Sequence, residues 1–320
     1  MKVRVAAIDC GTNSIRLLVA DLDPETGVGV DVDRQMQIVR LGQGVDRTGR
    51  LAPDALARTF AACDDYADRI RHLNADRLRF VATSASRDAE NTGEFTAGVL
   101  ARLGTAPEVV AGSVEAELSF VGATRELTDS QPGPFLVVDI GGGSTEFVLG
   151  TRRPQAARSV DVGCVRMTER HLTSDPPTPA QIAAARRDIE AAIDLAAETV
   201  PLDAAKTLVG LAGSVTTLAA IDAGIDVYDP AVTHHYRLRA DVVHELTARL
   251  LAMTRAQRER IPVMHPGRVD VIAAGAMILS AVVTRLTPAG VDDVLVSEHD
   301  ILDGIAWSLA SPTTGSHPAG

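Results

Sequence analysis

The chain carries one pattern twice, and that repetition limits what it can fold into more than any other feature. The first copy is Ala6 to Asp21, AAIDCGTNSIRLLVAD, and the second is Phe135 to Gly150, FLVVDIGGGSTEFVLG. Each is an apolar strand, an aspartate, a glycine-bearing polar turn and a second apolar strand. Asp9 aligns with Asp139, Gly11 with Gly141 and Ser14 with Ser144. In the second copy Gly141, Gly142 and Gly143 clear the turn of side chains, which lets backbone N–H groups close on an anion. A dinucleotide fingerprint also uses glycines, but it requires a helix after the turn, and Phe147 to Leu149 reads as strand. A lone GGG hairpin would be weak evidence, a tight turn being its simplest reading. Two copies, each opening its own α/β half, predict two similar lobes that present phosphate hairpins to one cleft. Asp139 and Glu146 bracket the second turn, and carboxylates beside an anion-binding loop suit a hard cation such as Mg²⁺ bridging protein and phosphate.

The rest of the chain fills in around these hairpins. Strands are expected at 3–9, 15–21, 28–33 and near Gln37 to Leu41, followed by a glycine-punctuated loop from Leu41 to Gly49. Pro53 opens a helix with Leu56, Phe60, Cys63, Ala67 and Ile70 on one face. A strand at Leu78 to Ala82 delivers TSASRDA, a polar loop at a strand end, where α/β domains place their chemistry. Arg87 lies there; taken alone, it is a surface arginine capping a loop. The strand Glu108 to Ala111 leads to Ser113, which is expected to cap a helix running to about Leu127, with Glu115 in its first turn. The helix dipole alone would account for an acidic residue there, at about 0.5 kcal/mol. Glu115, Ser119 and Gly122 share one face, however, while Val114, Leu118 and Val121 pack the other way, which would leave the carboxylate facing a cleft.

Gln131-Pro132-Gly133-Pro134 marks the junction, giving a first lobe at 1–127 and a second at 128–310. The second lobe continues with a strand at Ala156 to Val162, the stretch DVGCVRMTER and a linker from Thr173 to Pro179. A helix from Ala180 to Val200 follows, with Ile182, Ile189, Ile193 and Ala196 as its core stripe. A strand at Thr207 to Leu211 ends in Ala212-Gly213-Ser214 ahead of another helix. His234-His235 has no i, i+4 partner and no nearby cysteine, so it reads as strand or turn and not as a zinc site. Helices at about 240–256 and 269–287, a strand at Asp292 to Ser297 and a helix from His299 to Ala310 complete the fold. The Ser, Thr, Gly and Pro tail at 311–320 is expected to be disordered.

Taken in order, IDCGTNSIRLLVAD (8–21), TSASRDA (83–89), GSVEAELSF (112–120), VVDIGGGSTEF (137–147), LVGLAGSVTTLA (208–219) and GRVDVIAAGAMIL (267–279) cover nearly the whole chain. The set resembles the exopolyphosphatase and guanosine pentaphosphate phosphohydrolase family of the actin-like ATPase superfold, in its short two-domain form. The resemblance implies two RNase H-like α/β lobes, mixed sheets flanked by helices, with the active site in the interlobe cleft and the last helix, 299–310, packing back on the first lobe. It implies that Glu115 is the catalytic base orienting water and that Arg87 meets the phosphate chain. Gly11, Thr12, Asn13 and Ser14 would hold the terminal phosphate together with Gly141, Gly142, Gly143, Ser144 and Thr145. Asp9, Asp139 and Glu146 would position Mg²⁺ or Mn²⁺. Gly213 and Ser214 resemble the superfold's adenosine-binding motif, with a close helix–strand contact as the equal alternative. Arg268 either reaches the phosphate cleft or pairs with Asp270. Two positions depart from the family: Val114 and Glu117 stand where glutamate and arginine are frequent. The first leaves one candidate base, and the second puts affinity for long polyanions in doubt.

Bulk properties bound the reading. A chain of 320 residues, 46% hydrophobic, suits two domains with real cores. Cys10, Cys63 and Cys164 have neither metal-ligand nor disulfide spacing, which points to a reduced, cytoplasmic setting. No basic-plus-apolar leader precedes the first strand and no apolar run approaches a membrane span, so no membrane partner is expected. A formal net charge of −11 argues against nucleic acid and sits awkwardly with a polyanionic substrate. The function expected is release of the terminal phosphate from inorganic polyphosphate or guanosine pentaphosphate. The alternatives are an ATP-dependent small-molecule kinase of the same superfold and a non-hydrolytic alarmone-binding regulator. The sequence leaves a homodimer open.

Overall fold

The computed structural model describes residues 2–127 and 130–310. The predicted lobe boundary at 127/128 and the tail at 311–320 touch or lie outside these residues. In the first half the elements are β1 (Val3–Cys10), β2 (Ser14–Asp23), β3 (Val28–Ile38), α1 (Val45–Thr48), α2 (Pro53–His72), β4 (Arg77–Ala82), α3 (Ser84–Asp88), α4 (Thr92–Leu103), β5 (Glu108–Val109) and α5 (Gly112–Thr124). The second half runs β6 (Phe135–Ile140), β7 (Thr145–Gly150), β8 (Pro154–Val160), α6 (Cys164–His171), α7 (Pro179–Ala197), β9 (Thr207–Leu211), α8 (Ala212–Asp222), α9 (Pro230–Thr233), β10 (Arg237–Arg239), α10 (Ala240–Ala252), α11 (Arg255–Arg258), α12 (Ile272–Leu286), β11 (Asp293–Val296) and α13 (Ile301–Ala310).

The duplication seen in the sequence is a duplication of topology. One sheet has the order β3-β2-β1-β4-β5 and the other β10-β11-β9-β6-β7-β8. In each, an antiparallel meander is extended from its first strand by parallel strands: β4 and β5 on one side, β9 and β11 on the other. The two turns close identically, by Gly11 N–H donating to Ser14 O at 2.9 Å and by Gly141 N–H donating to Ser144 O at 3.0 Å. Every residue of β6 and β7 is buried. Strands covered on both faces read as apolar runs and not as alternation.

The sheets are tied together by two helices that exchange partners. Ala116, Phe120 and Ala123 of α5 pack on Phe135, Val137 and Val148 of the second sheet. Ile301, Leu302, Ile305 and Ala306 of α13 return to Val5, Ala7, Leu18, Ala20 and Leu22 of the first. Each large side chain so buried contributes about 1.5–3 kcal/mol, so both crossings are firm supports for whatever lies between the sheets.

Several sequence expectations are corrected. Gln37 to Leu41 is not a separate strand: β3 continues to Ile38, and the N–H groups of Val39 and Arg40 then turn to Asn13 O. Ser113 does not cap α5, which starts at Gly112 from an extended Ala111 without a side-chain cap bond and ends at Thr124. The loop at 83–89 contains the short helix α3, and α1, α4 and α6 are helices left unassigned by the sequence. One stretch, Ile272–Ala289, is apolar enough to span a membrane by length and composition, with a mean hydropathy of 1.5. It is the central helix of the second lobe, and a helix covered on most sides is apolar nearly all round.

Candidate active site

The two glycine turns meet. A Cβ on Gly142 would lie 2.8 Å from Thr12 Cβ, and one on Gly143 would lie 2.8 Å from Ser84 Oγ and 2.9 Å from Thr12 Oγ1. Only glycine allows this approach. Between the turns lies a cavity of about 110 Å³, lined among others by Asp9, Gly11 to Ser14, Glu115, Asp139, Gly141, Gly142, Ser144, Gly213, Ser214 and Arg268. Gly143, Thr145, Glu146 and Arg87 do not line it. Thr145 donates its hydroxyl to Val162 O at 2.6 Å, just past β8, and the N–H groups of Gly11 and Gly141 are engaged in their own turns. Among the described residues the N–H groups of Thr12, Asn13, Gly142, Gly143 and Ser144 make no internal hydrogen bond, and all but Gly143 belong to residues that line the cavity, which leaves those four for an anion.

Register explains how the acidic residues converge. Asp9 is paired across its hairpin with Arg16, and Asp139 across its hairpin with Glu146, the equivalent position. Arg16 donates to Asp9 at 2.6 and 3.0 Å and also pairs with Asp300, just before α13. Ser119 of α5 donates to Asp139 at 2.7 Å, and Ser159 donates to Glu146 at 2.6 Å. Glu115 occupies the first turn of α5, 7% exposed, with Arg87 Nη1 3.3 Å away; the same Arg87 nitrogen donates to Val110 O at 3.0 Å. Val114 and Glu117 are exposed and do not line the cavity, so neither departure from the family stands against the anion-binding turns.

Burial makes this a costly place for negative charge. Burial, and then the neighbouring Glu146, pushes Asp139 up to about 8. Burial, again with Glu146, holds Glu115 well above the usual carboxylate range, against the pull of Arg87. Burial raises Asp9 and Glu146 as well, Asp9 despite its arginine partner. Like carboxylates crowded into one low-dielectric space favour a positive guest. All candidate ligands are oxygens, the donor set of Mg²⁺ or Mn²⁺, so Asp9 and Asp139 fit such an ion by chemistry, while Glu146, which does not line the cavity, adds its charge from nearby.

Arg268 does not pair with Asp270, which is held by Arg40 and Arg255. Its Nη1 donates to Gly213 O and Thr217 Oγ1, both at 3.1 Å, and no carboxylate lies within ion-pair distance among the described residues. The guanidinium lies against Gly213, where a Cβ would come within 2.1 Å of it, so the glycine makes room for an arginine and not for a helix–strand contact. Arg16, Ala212, Gly213 and Arg268 also line a second, larger cavity of about 870 Å³ that opens beside the first. Its apolar wall includes Val227, Pro230, Val263 and Met264. Cys164 lines the small cavity, but burial pushes its thiol up to about 11, which makes it inert as a nucleophile.

Glu126, His234 and His299 also converge. The N–H of Glu298 donates to His234 Nδ1 at 3.2 Å, which leaves the ring proton on Nε2, 3.4 Å from Glu126 Oε2. A metal would need that nitrogen bare, so this is a histidine–carboxylate pair. His234 and His235 lie in the turn between α9 and β10.

Sequence reasoning missed Arg16, Ser159 and Asp300, and placed Ser119 on the Glu115 face without assigning it a partner. Arg16 was findable in principle, because it stands opposite Asp9 as Glu146, which the sequence did single out, stands opposite Asp139.

Residues 22–308 match the Ppx/GppA phosphatase family. The chain is 53% identical over 315 residues to exopolyphosphatase 2 of Mycobacterium tuberculosis, covering 96% of this chain and 98% of that one. Its fold superimposes on the crystal structure of an exopolyphosphatase-like protein with a TM-score of 0.93 at 43% identity, covering 96% of this chain and 98% of the other. It also superimposes on the Ppx/GppA protein of Aquifex aeolicus with a TM-score of 0.80 at 28% identity, covering 99% and 100%. Two actin-like lobes, paired glycine turns and a glutamate at the head of the connecting helix thus agree with the sequence match, and the chain belongs to the Ppx/GppA phosphatase family.

Proposed function

We propose that this protein removes the terminal phosphate from inorganic polyphosphate or guanosine pentaphosphate by in-line attack of water. The observation that carries the reading is the meeting of two anion-ready turns, from two lobes, over a carboxylate-lined cavity that contains Glu115. The cavity has room for about one phosphate group. The free N–H groups of Thr12, Asn13, Gly142 and Ser144 would hold that phosphate, with the Ser14 and Ser144 side chains beside it. Arg87 adds positive charge next to Glu115, the geometry of preorganised charge stabilisation. Asp9 and Asp139 would hold Mg²⁺ or Mn²⁺, with Glu146 acting through water, and the ion would supply positive charge to the phosphate oxygens. Glu115, beside the Arg87 guanidinium, would orient the attacking water; a loose phosphoryl transition state needs positioning more than a strong base.

The remainder of the substrate would extend past Arg268 and Gly213-Ser214 into the larger cavity. Its apolar wall and its arginine without an acidic partner suit a nucleoside or a short phosphate chain better than a long polyanion. The reading extends to a cytoplasmic enzyme, and hydrolysis of guanosine pentaphosphate would link it to the stringent response. Phosphate release should be followed with Mg²⁺ on tripolyphosphate, long polyphosphate, guanosine pentaphosphate and ATP. Release from the first three without an organic acceptor is expected. Turnover only with an acceptor would make the protein a kinase, and tight binding without release would make it a sensor.

A further inference from the structure

Arg166 of α6 holds three groups with one guanidinium. Its Nε donates to Gly143 O at 2.7 Å, its Nη2 to Asp88 at 2.6 Å, and its Nη1 pairs with Asp46. Gly143 belongs to the phosphate turn of the second lobe. Asp88 and Asp46 belong to the first, Asp88 directly after Arg87. A planar fork serves such divergent acceptors, which an ammonium does not.

The backbone of α6 grips the same turn. Cys164 N–H donates to Gly141 O at 2.9 Å, and the N–H groups of Val165 and Arg166 donate to Gly142 O at 2.9 and 3.0 Å. The carbonyls of Gly141, Gly142 and Gly143 therefore all face α6. In a trans peptide the C=O and the following N–H point in opposite directions, so the N–H groups of Gly142, Gly143 and Ser144 face away from α6. Arg170 and Glu169 strengthen the seam, by Arg170 pairing with Asp46 at 3.0 Å and by Gly44 N–H donating to Glu169 at 3.1 Å.

We propose that Arg166 is a positioning residue for the reaction: it sets the second phosphate turn against the Arg87 segment, so that turn and arginine reach one phosphate only when Asp46 and Asp88 are paired with it. This rests on the reading that the turn binds phosphate.

The test is a double-mutant cycle with Arg166→Met on one side and Asp46→Asn with Asp88→Asn on the other. kcat and KM are measured on tripolyphosphate, melting curves confirm folding, and small-angle scattering is recorded with and without tripolyphosphate. We expect Arg166→Met to lower kcat/KM by about ten- to a hundredfold, with KM raised. The paired asparagines should cost a similar factor, and adding Arg166→Met to them should cost less than about threefold more, the non-additivity of residues that act together. Arg166→Met should enlarge the radius of gyration relative to the wild type, whose seam is formed without ligand, and tripolyphosphate should leave that of the wild type unchanged. Additive losses, or a folded Arg166→Met variant with wild-type KM and wild-type scattering, overturn the proposal. A wild type that releases no phosphate from any donor fails the functional reading instead.

Discussion

Asp139 is the residue at which function and stability pull apart. Its carboxyl is pushed up to about 8 by burial first and then by Glu146 and Asp300. An unfolded aspartate titrates near ~3.9, so between about pH 4 and about pH 8 the folded state holds a proton that the unfolded state has released. Stability attributable to this group is therefore full at low pH and is lost as pH rises through that window. Asparagine imitates the protonated form at every pH and still accepts from Ser119. In metal-free buffer Asp139→Asn should melt above the wild type at pH 8, with the gap closing toward pH 5, and Mg²⁺ should raise the melting temperature of the wild type alone. Parallel wild-type and variant profiles would show that charge is not stored there. Glu115 is the kinetic counterpart. Glu115→Gln keeps the shape of the group but removes its charge, and turnover should fall by roughly two to four orders of magnitude, the usual worth of a positioned acid–base group. Phosphate release by the purified, folded variant at the wild-type rate would remove Glu115 from the mechanism.

At the scale of elements, the cleft depends on how closely α5 and α13 approach. A Cβ on Gly304 would lie 2.0 Å from Leu118 O, and one on Gly122 would lie 1.9 Å from Asp300 O, so these helices touch backbone to backbone. Alanine is the better helix former by about 1 kcal/mol. Overpacking against a backbone that cannot rotate aside costs about 1–3 kcal/mol, and this term should win. Gly304→Ala should thus lower the midpoint of a denaturant titration, whereas Gly93→Ala in α4, where a Cβ meets nothing within 4 Å, should leave it unchanged or raise it. The same contrast separates what the sequence disclosed from what it hid. The hairpins were legible because strand, aspartate and glycine turn are contiguous and occur twice. The α2 and α7 stripes were legible because their period is local, and Leu56, Cys63, Ile189 and Ile193 are indeed core. The start of α5 was not, because Gly112 is fixed by packing on Ser159, where a Cβ would come within 2.5 Å, and not by a local cap. The bond from Arg16 to Asp300 was hidden because the two are 284 positions apart, and the role of Arg166 because Asp46 and Asp88 belong to the other lobe.

For the whole molecule the governing quantity is charge. The chain carries a formal net charge of −11, yet its proposed substrates are polyanions. Of the arginines beside the cavities, Arg16 is committed to Asp9 and Asp300 and Arg34 to Asp31 and Asp303, which leaves Arg268 without an acidic partner. On the proposed reading attraction is concentrated at the terminal phosphate and at Arg268, and the net charge of −11 opposes each further phosphate of a long chain. Salt acts on these contributions differently. The Debye length shortens from about 30 Å at 0.01 M to about 10 Å at 0.1 M ionic strength, which removes long-range repulsion while leaving buried contacts largely unscreened. With Mg²⁺ in excess over phosphate, KM for long polyphosphate should fall severalfold as KCl is raised across this range, whereas KM for tripolyphosphate should stay level or rise slightly. An enzyme that guided long chains along a basic track would do the reverse, since its steering would weaken with salt. Steady-state KM against KCl for the two chain lengths separates these cases, and a long-chain KM that climbs with salt would mean that a cationic path on the surface outweighs the molecule's net charge.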